Sequence, residues 1–244
     1  MDPTKQTARL AGLLYLASSI PGFFALLYVP TKLAVAPGDA AAKADRLRAS
    51  ESLLRLGIGA ELLGTILFIF VALVLYRLFK PVSEGPALAM LVLILLSVPI
   101  SFLDVLTEIA ALEFAGAGSG ARYLSVFDAH QRDALAYFAF HQHYLGIVVA
   151  EIFWGLWLFP FGICVVRSRF IPRFLGIFLM VAGCGWVAKA LSELAVPQYA
   201  DAVDRVARIL TPLELPIIFW LLIWGAKPQP TAASPSRPEE SAQN

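Results

Sequence analysis

Six stretches of this chain are each apolar for as long as a helix needs to cross a membrane: Leu10 to Pro30, Leu56 to Phe79, Pro86 to Phe114, Tyr137 to Val166, Phe174 to Val196 and Ile209 to Ala226. A hydrocarbon layer about 30 Å thick takes roughly 20 residues of α-helix. No water is available there to satisfy a backbone N–H or C=O, so a spanning segment must bond to itself, as a helix does. Composition agrees, since 59% of the 244 residues are apolar and 15% charged, against about a quarter charged in a soluble domain. The expected fold is all-α, a polytopic integral membrane protein with a six-helix bundle over residues 1–227. Residues 228–244 are rich in Pro, Ser and Ala, hold too little apolar surface to fold, and are expected to form a disordered cytoplasmic tail.

The connections alternate between short basic ones, Lys80 to Gly85 and Arg167 to Arg173, and longer mixed ones, Thr31 to Arg55, Ala115 to Ala136 and Pro197 to Arg208. All short connections therefore share one side of the membrane. Lys5, Arg9, Arg77, Lys80, Arg167, Arg169, Arg173 and Lys227 flank span ends on that side, and the positive-inside rule makes it cytoplasmic, with both termini. The longer connections then face outward. Asp39 is placed to cap a helix running to Arg55, with Glu51 and Arg55 paired at i,i+4. Ala34-Val35-Ala36 has the form of a signal-peptidase site, but Leu10 to Pro30 exceeds the apolar region of a signal peptide, so the first span is read as retained. A net charge of +1 suggests no nucleic-acid partner, and Cys164 and Cys184 lack the spacing of a metal or redox pair.

The turn RSRFIPRFLG at Arg167 to Gly176, the following IFLMVAGCGW at Ile177 to Trp186 and the terminal ELPIIFWLLIWGAK at Glu214 to Lys227 resemble the bacterial membrane proteins grouped as the domain-of-unknown-function 4386 family. RLAGLLYL at Arg9 to Leu16 and LYRLFKPV at Leu75 to Val82 extend the resemblance over most of the chain except the tail. It implies a six-span protein of the bacterial inner membrane, and it carries no activity and no functional residues.

Ionisable side chains inside a span are expensive and are functional suspects for that reason. Here they are Glu61, Asp104, Glu108, His141, His143, Glu151, Lys189, Glu193 and Glu214. At about 1.5 Å per residue, Glu61 lies roughly 24 Å from the cytoplasmic Arg77, and Glu151 has the same offset from Arg167. Nearly every such charge falls in the outer half, while Thr65 to Leu75 and Trp154 to Val166 are almost purely apolar. This predicts an outward-facing polar pocket above a hydrophobic plug, lined by Glu61, Asp104, Glu108, Glu151, Lys189, Glu193 and Glu214 and roofed by the long loops. Pro99, Pro160, Pro212 and Pro216 interrupt spans three, four and six and can free carbonyls to line it.

Asp104 and Glu108 stand at i,i+4 and invite a cation or a shared proton, because two neighbouring carboxylates in low dielectric do not both ionise cheaply. Lys189 and Glu193 have the spacing of an internal ion pair, with Glu61, Glu151 or Glu214 as alternative partners for Lys189 across helices. His141 and His143 are about 200° apart on a helix, so only one can enter a given site. His143 with Asp104 or Glu108 makes a donor set suited to zinc, with His130 a candidate third ligand. Haem is disfavoured, because a single span carries the intramembrane histidines. The clustering favours binding or transport of a small solute, proton or cation through the pocket, with the lipid bilayer as the surrounding partner. An intramembrane metal-dependent hydrolase and a non-catalytic structural or partner subunit use the same residues differently.

Overall fold

The computed structural model describes residues 3–116 and 122–226. Six helical segments are long and apolar enough to cross a membrane: Pro3–Lys32, Glu51–Phe79, Glu84–Ala115, Ala129–Ser168, Arg173–Ala195 and Pro197–Ile223. Span one is α1 (Pro3–Phe23), a π-helical turn at Phe24–Tyr28 and α2 (Val29–Lys32). The short helix α3 (Ala40–Ala49) precedes spans two and three, α4 (Glu51–Phe79) and α5 (Glu84–Ala115). Span four is α6 (Ala129–Leu156) continued by α7 (Leu158–Ser168), span five is α8 (Arg173–Ala195), and span six combines α9 (Ala200–Leu210), a 3-10 turn at Thr211–Glu214 and α10 (Leu215–Ile223). The tail expected to be disordered lies outside the described residues.

Local chemistry explains most boundaries. The Asp39 carboxylate accepts from the Ala42 N–H at 2.9 Å and starts α3. Asp128 and Gln131 form a reciprocal capping box at the head of α6. Gly116, with φ 77°, closes α5 in a left-handed cap. Pro160 has no N–H to offer the Leu156 carbonyl, and the α6–α7 break falls there. Pro212 likewise sits in the 3-10 turn that divides span six, whereas Pro99 lies inside an unbroken α5.

Two expectations are corrected. The helix capped by Asp39 ends at Ala49 rather than Arg55, so the Glu51–Arg55 pair, at 2.8 Å, belongs to the first turn of span two. Span six begins well before Ile209: most of the stretch from Pro197 to Arg208 read as loop is helix α9, whose apolar residues gather on one face, a pattern that mean hydropathy alone does not register.

The spans form a ring in which α1 packs on α4, α4 on α5, α5 on α6, and α6 with its continuation α7 on α8, while α10 closes back on α1. Both described chain ends lie on one side, where Arg9 donates to the Ile223 carbonyl at 2.8 Å. We refer to this as the terminal side and to the other as the α3 side. On the terminal side an aromatic-rich core of Tyr15, Phe79, Trp157, Phe161 and Phe170 fills the bundle. A second apolar cluster, including Leu33, Leu47, Leu54, Val105 and Leu112, lies on the α3 side, where α3 covers the ends of α5 and α6.

Glycines let span four, through the end of α6 and α7, approach α8 closely. Gly155 faces Gly183 and Gly162 faces Gly176, two pairs seven residues apart on antiparallel helices, and a Cβ on Gly162 would stand 2.5 Å from the Gly176 carbonyl oxygen. Gly162→Leu is expected to lower stability by about 1–3 kcal/mol or more through overpacking. Gly59→Ala, where a Cβ meets nothing within 4 Å, should leave it unchanged or raise it slightly through helix propensity. Thermal unfolding of both variants in one detergent checks the contrast.

Candidate functional site

Four of the embedded ionisable residues meet around one imidazole. Glu61 comes from α4, Asp104 and Glu108 from successive turns of α5, and His143 from α6. All four are at least nine-tenths buried. The two ring nitrogens of His143 face different partners. Nδ1 lies 3.0 Å from Asp104 Oδ2, a hydrogen-bonding distance off the N–H axis, while Nε2 lies 3.3 Å from Glu108 Oε1 and 3.9 Å from Glu61 Oε2. Glu108 Oε2 has no hydrogen-bond partner among the described residues.

The sequence permits this convergence through one small residue. Gly146, a turn beyond His143 on α6, faces Asp104 so closely that an added Cβ would collide with the carboxylate. The α5–α6 approach therefore needs glycine at that point. Above the cluster, Lys43 of α3 donates to the Leu33 carbonyl at 2.6 Å and stands over the Phe140 ring, 4.4 Å from its centroid. Burial lowers the Lys43 ammonium from its ordinary value. Arg48 fastens α3 in place by donating to the Ala115 carbonyl at 2.8 Å and pairing with Asp133 at 3.3 Å.

A second charged group lies deeper, toward the terminal side. Lys189 of α8 donates to Glu151 of α6 at 2.5 Å, and Glu193 accepts from the Tyr144 hydroxyl. The Lys189–Glu193 pair is thus not formed, and the cross-helix partner Glu151 is chosen instead. A Lys N-terminal to Glu at i,i+4 is the weaker order on a helix, which removes the local advantage. Glu214, in the 3-10 turn of span six, lines the same space without joining either group.

Both groups border a cavity of about 620 Å³ to which all six spans contribute. Its walls include Glu61, Asp104, His143, Glu151, Lys189 and Glu214, its floor Tyr15, Phe68 and Trp157. Glu108 is not among its lining residues and sits behind the imidazole. Span one meets span six through α10, whereas α9 packs on α8, so the cavity opens on the α3 side between span one and α9. Phe23, Leu27 and Arg208, lining residues on those two elements, are exposed, so the cavity reaches the surface there. Arg208 is held by Asp204 at 2.7 Å.

The sequence singled out every member of the four-residue cluster without joining Glu61 to His143. That association requires α4 and α6 to flank α5, and the helix order around the ring is not written in any one segment. Asp104 is a partner of the remote ring nitrogen rather than of the face shared by the two glutamates. His130, in the first turn of α6, lies 13 residues from His143 and takes no part; His141 is exposed and stacks on Tyr144. The roles of Tyr144, Phe140 and Lys43 were missed, since only helix phase and the path of α3 bring them to the site.

The fold and the site together define a multi-pass helical membrane protein with ionisable residues gathered in an embedded cavity. A family model described as a domain of unknown function, DUF4386, matches residues 10–225, and the chain belongs to that family. Comparison with curated proteins and with solved structures returned no match.

Removing one member of a buried ion pair leaves the other uncompensated, at about 3–5 kcal/mol. Lys189→Met is expected to destabilise the protein by that order, and the double variant Lys189→Met/Glu151→Gln to recover most of the loss. A double-mutant cycle on detergent unfolding measures the coupling directly.

Proposed function

We infer that this protein binds a proton, cation or small cationic solute in its embedded cavity and moves it across the inner membrane of a bacterium. The observation that carries this reading is the convergence of Glu61, Asp104 and Glu108 on His143 from three helices, beside a cavity open on one side. Three carboxylates against one imidazole give the cluster a deficit of positive charge that a mobile cation or protons can fill. The cavity volume falls within the range of small-molecule sites. The basic residues Arg77, Lys80, Arg167, Arg169 and Arg173 flank spans on the terminal side, which supports a cytoplasmic location for both termini and an outward-facing mouth. The aromatic floor then acts as the inner barrier, and passage requires it to part.

A second reading, a metal-dependent hydrolase within the membrane, is favoured by one specific feature. His143 presents one nitrogen to Asp104 and the other to two glutamates, the arrangement in which an imidazole holds a metal that activates water.

Reconstitution into proteoliposomes with a pH-sensitive or cation-sensitive dye inside separates the readings. Flux above that of empty vesicles is expected from the wild-type chain, and a loss of at least tenfold from Glu61→Gln. Flux equal to empty vesicles under proton, sodium and potassium gradients alike contradicts transport.

A further inference from the structure

We propose that Glu61, Glu108 and Nε2 of His143 hold one divalent transition-metal ion, with Asp104 orienting the imidazole from Nδ1. The inference deepens the cation-pocket reading above by naming the ion class and its ligands.

The donor atoms are close enough to converge on one ion. One donor atom from each of Glu61, Glu108 and His143 can be chosen so that all lie within 4.8 Å of one another. Ligands bonded to one ion at about 2.0–2.1 Å in tetrahedral geometry stand roughly 3.3–3.4 Å apart. Nε2 is 3.3 Å from the nearer glutamate oxygen and 3.9 Å from the other, so Glu108 already stands at ligand spacing and Glu61 has to move inward. The three ligands come from three packed helices, which holds them in place without a loop.

The charges call for protons or a cation at that point. Nε2 faces two buried carboxylates, with Glu108 at 3.3 Å and Glu61 at 3.9 Å. Such a face is repulsive unless protons or a metal ion lie between. The nearby positive groups are already engaged, Lys43 with the Leu33 carbonyl, Lys189 with Glu151 and Arg208 with Asp204. A divalent ion bonded to two glutamates and a neutral imidazole brings the three-ligand set to zero net charge, with Asp104 3.0 Å from the other ring nitrogen. The unpartnered Oε2 of the buried Glu108 carboxyl is a further sign that the cluster is built around a group that bonds to it.

The donor set also indicates the ion. Two carboxylates with one imidazole suit zinc and its first-row neighbours rather than calcium or magnesium, which take mostly oxygen ligands. Three protein ligands leave a coordination position free. Two of the three ligands, Glu61 and His143, line the cavity, which gives a bound ion access to it.

The test uses the full chain, purified in mild detergent without chelator, loaded with Zn2+, dialysed and measured by elemental analysis. Co2+ in place of Zn2+ reports the geometry through its visible spectrum, and unfolding with and without Zn2+ reports linkage to the fold. The wild-type chain and Ser19→Ala, which alters the same cavity away from the proposed ligands, should each retain about one equivalent. Asp104→Asn and the isosteric Glu61→Gln should bind at least tenfold more weakly, and His143→Ala should lose the metal. If His143→Ala does not fold, the Glu61→Gln and Asp104→Asn affinities decide. Absence of Zn2+ and Co2+ binding by the wild-type chain overturns the proposal, as does binding unchanged in Glu61→Gln and Asp104→Asn. Flux without metal binding removes the metal site and leaves the cation pocket standing; metal binding without flux removes transport and leaves the metal site.

Discussion

A charge inside a membrane has to be answered by an opposite charge, a proton, a metal ion or water, and the architecture of this protein is arranged around that requirement. His143 sits between three carboxylates, and Lys189 sits against Glu151. Neither arrangement can form within one helix. Each draws the spans that carry it into contact, and buried polar interactions of this kind help to fix which helices pair in a bundle. The close approach of α5 and α6 at Gly146 follows directly, since the Asp104 carboxylate occupies the room that any other side chain would need.

The charged layer lies between two apolar ones. On the terminal side, tilted and stacked rings run from Tyr15 through Phe68 and Trp157 to Phe161 and Phe79, which seals the bundle with side chains that cannot carry ions. On the α3 side, α3 lays Ala44 and Leu47 into the second cluster and is pinned by Arg48. The opening is therefore displaced sideways, to the gap between span one and α9. Span one carries its π-helical turn at that place, with Leu26 and Leu27 on the cavity wall. Such turns are a frequent feature of functional segments, where a local rearrangement of the helical ladder costs little.

The spans were legible because crossing hydrocarbon imposes a length and an apolar composition that a sequence must display. The candidate residues were legible for the opposite reason, as charges where few are tolerated. Partner choice was not. Asp104 and Glu108 share a face by spacing alone, but whether Glu61 or Glu151 meets His143 depends on the order of helices around the ring. Lys189 shows the same limit: Glu193 was the nearest partner in sequence, and Tyr144 from a neighbouring span takes it instead. Helix α9 escaped a hydropathy reading because its apolar residues occupy one face. Prolines proved informative where they left a carbonyl without its donor, as at Leu156, and silent at Pro99, where the helix continues.

The embedded charges border a cavity that the aromatic-rich core closes on the terminal side. The most direct measurement is labelling of single cysteines by a membrane-impermeant maleimide, applied to each side of sealed proteoliposomes of known orientation, in a chain with Cys164 and Cys184 replaced by Ala. Ser101→Cys, on the cavity wall one turn from Asp104, should label from the α3 side and not from the terminal side, while Val71→Cys, within the aromatic-rich core, should label from neither. Failure of Ser101→Cys to label from either side, or its labelling from the terminal side, would contradict the account.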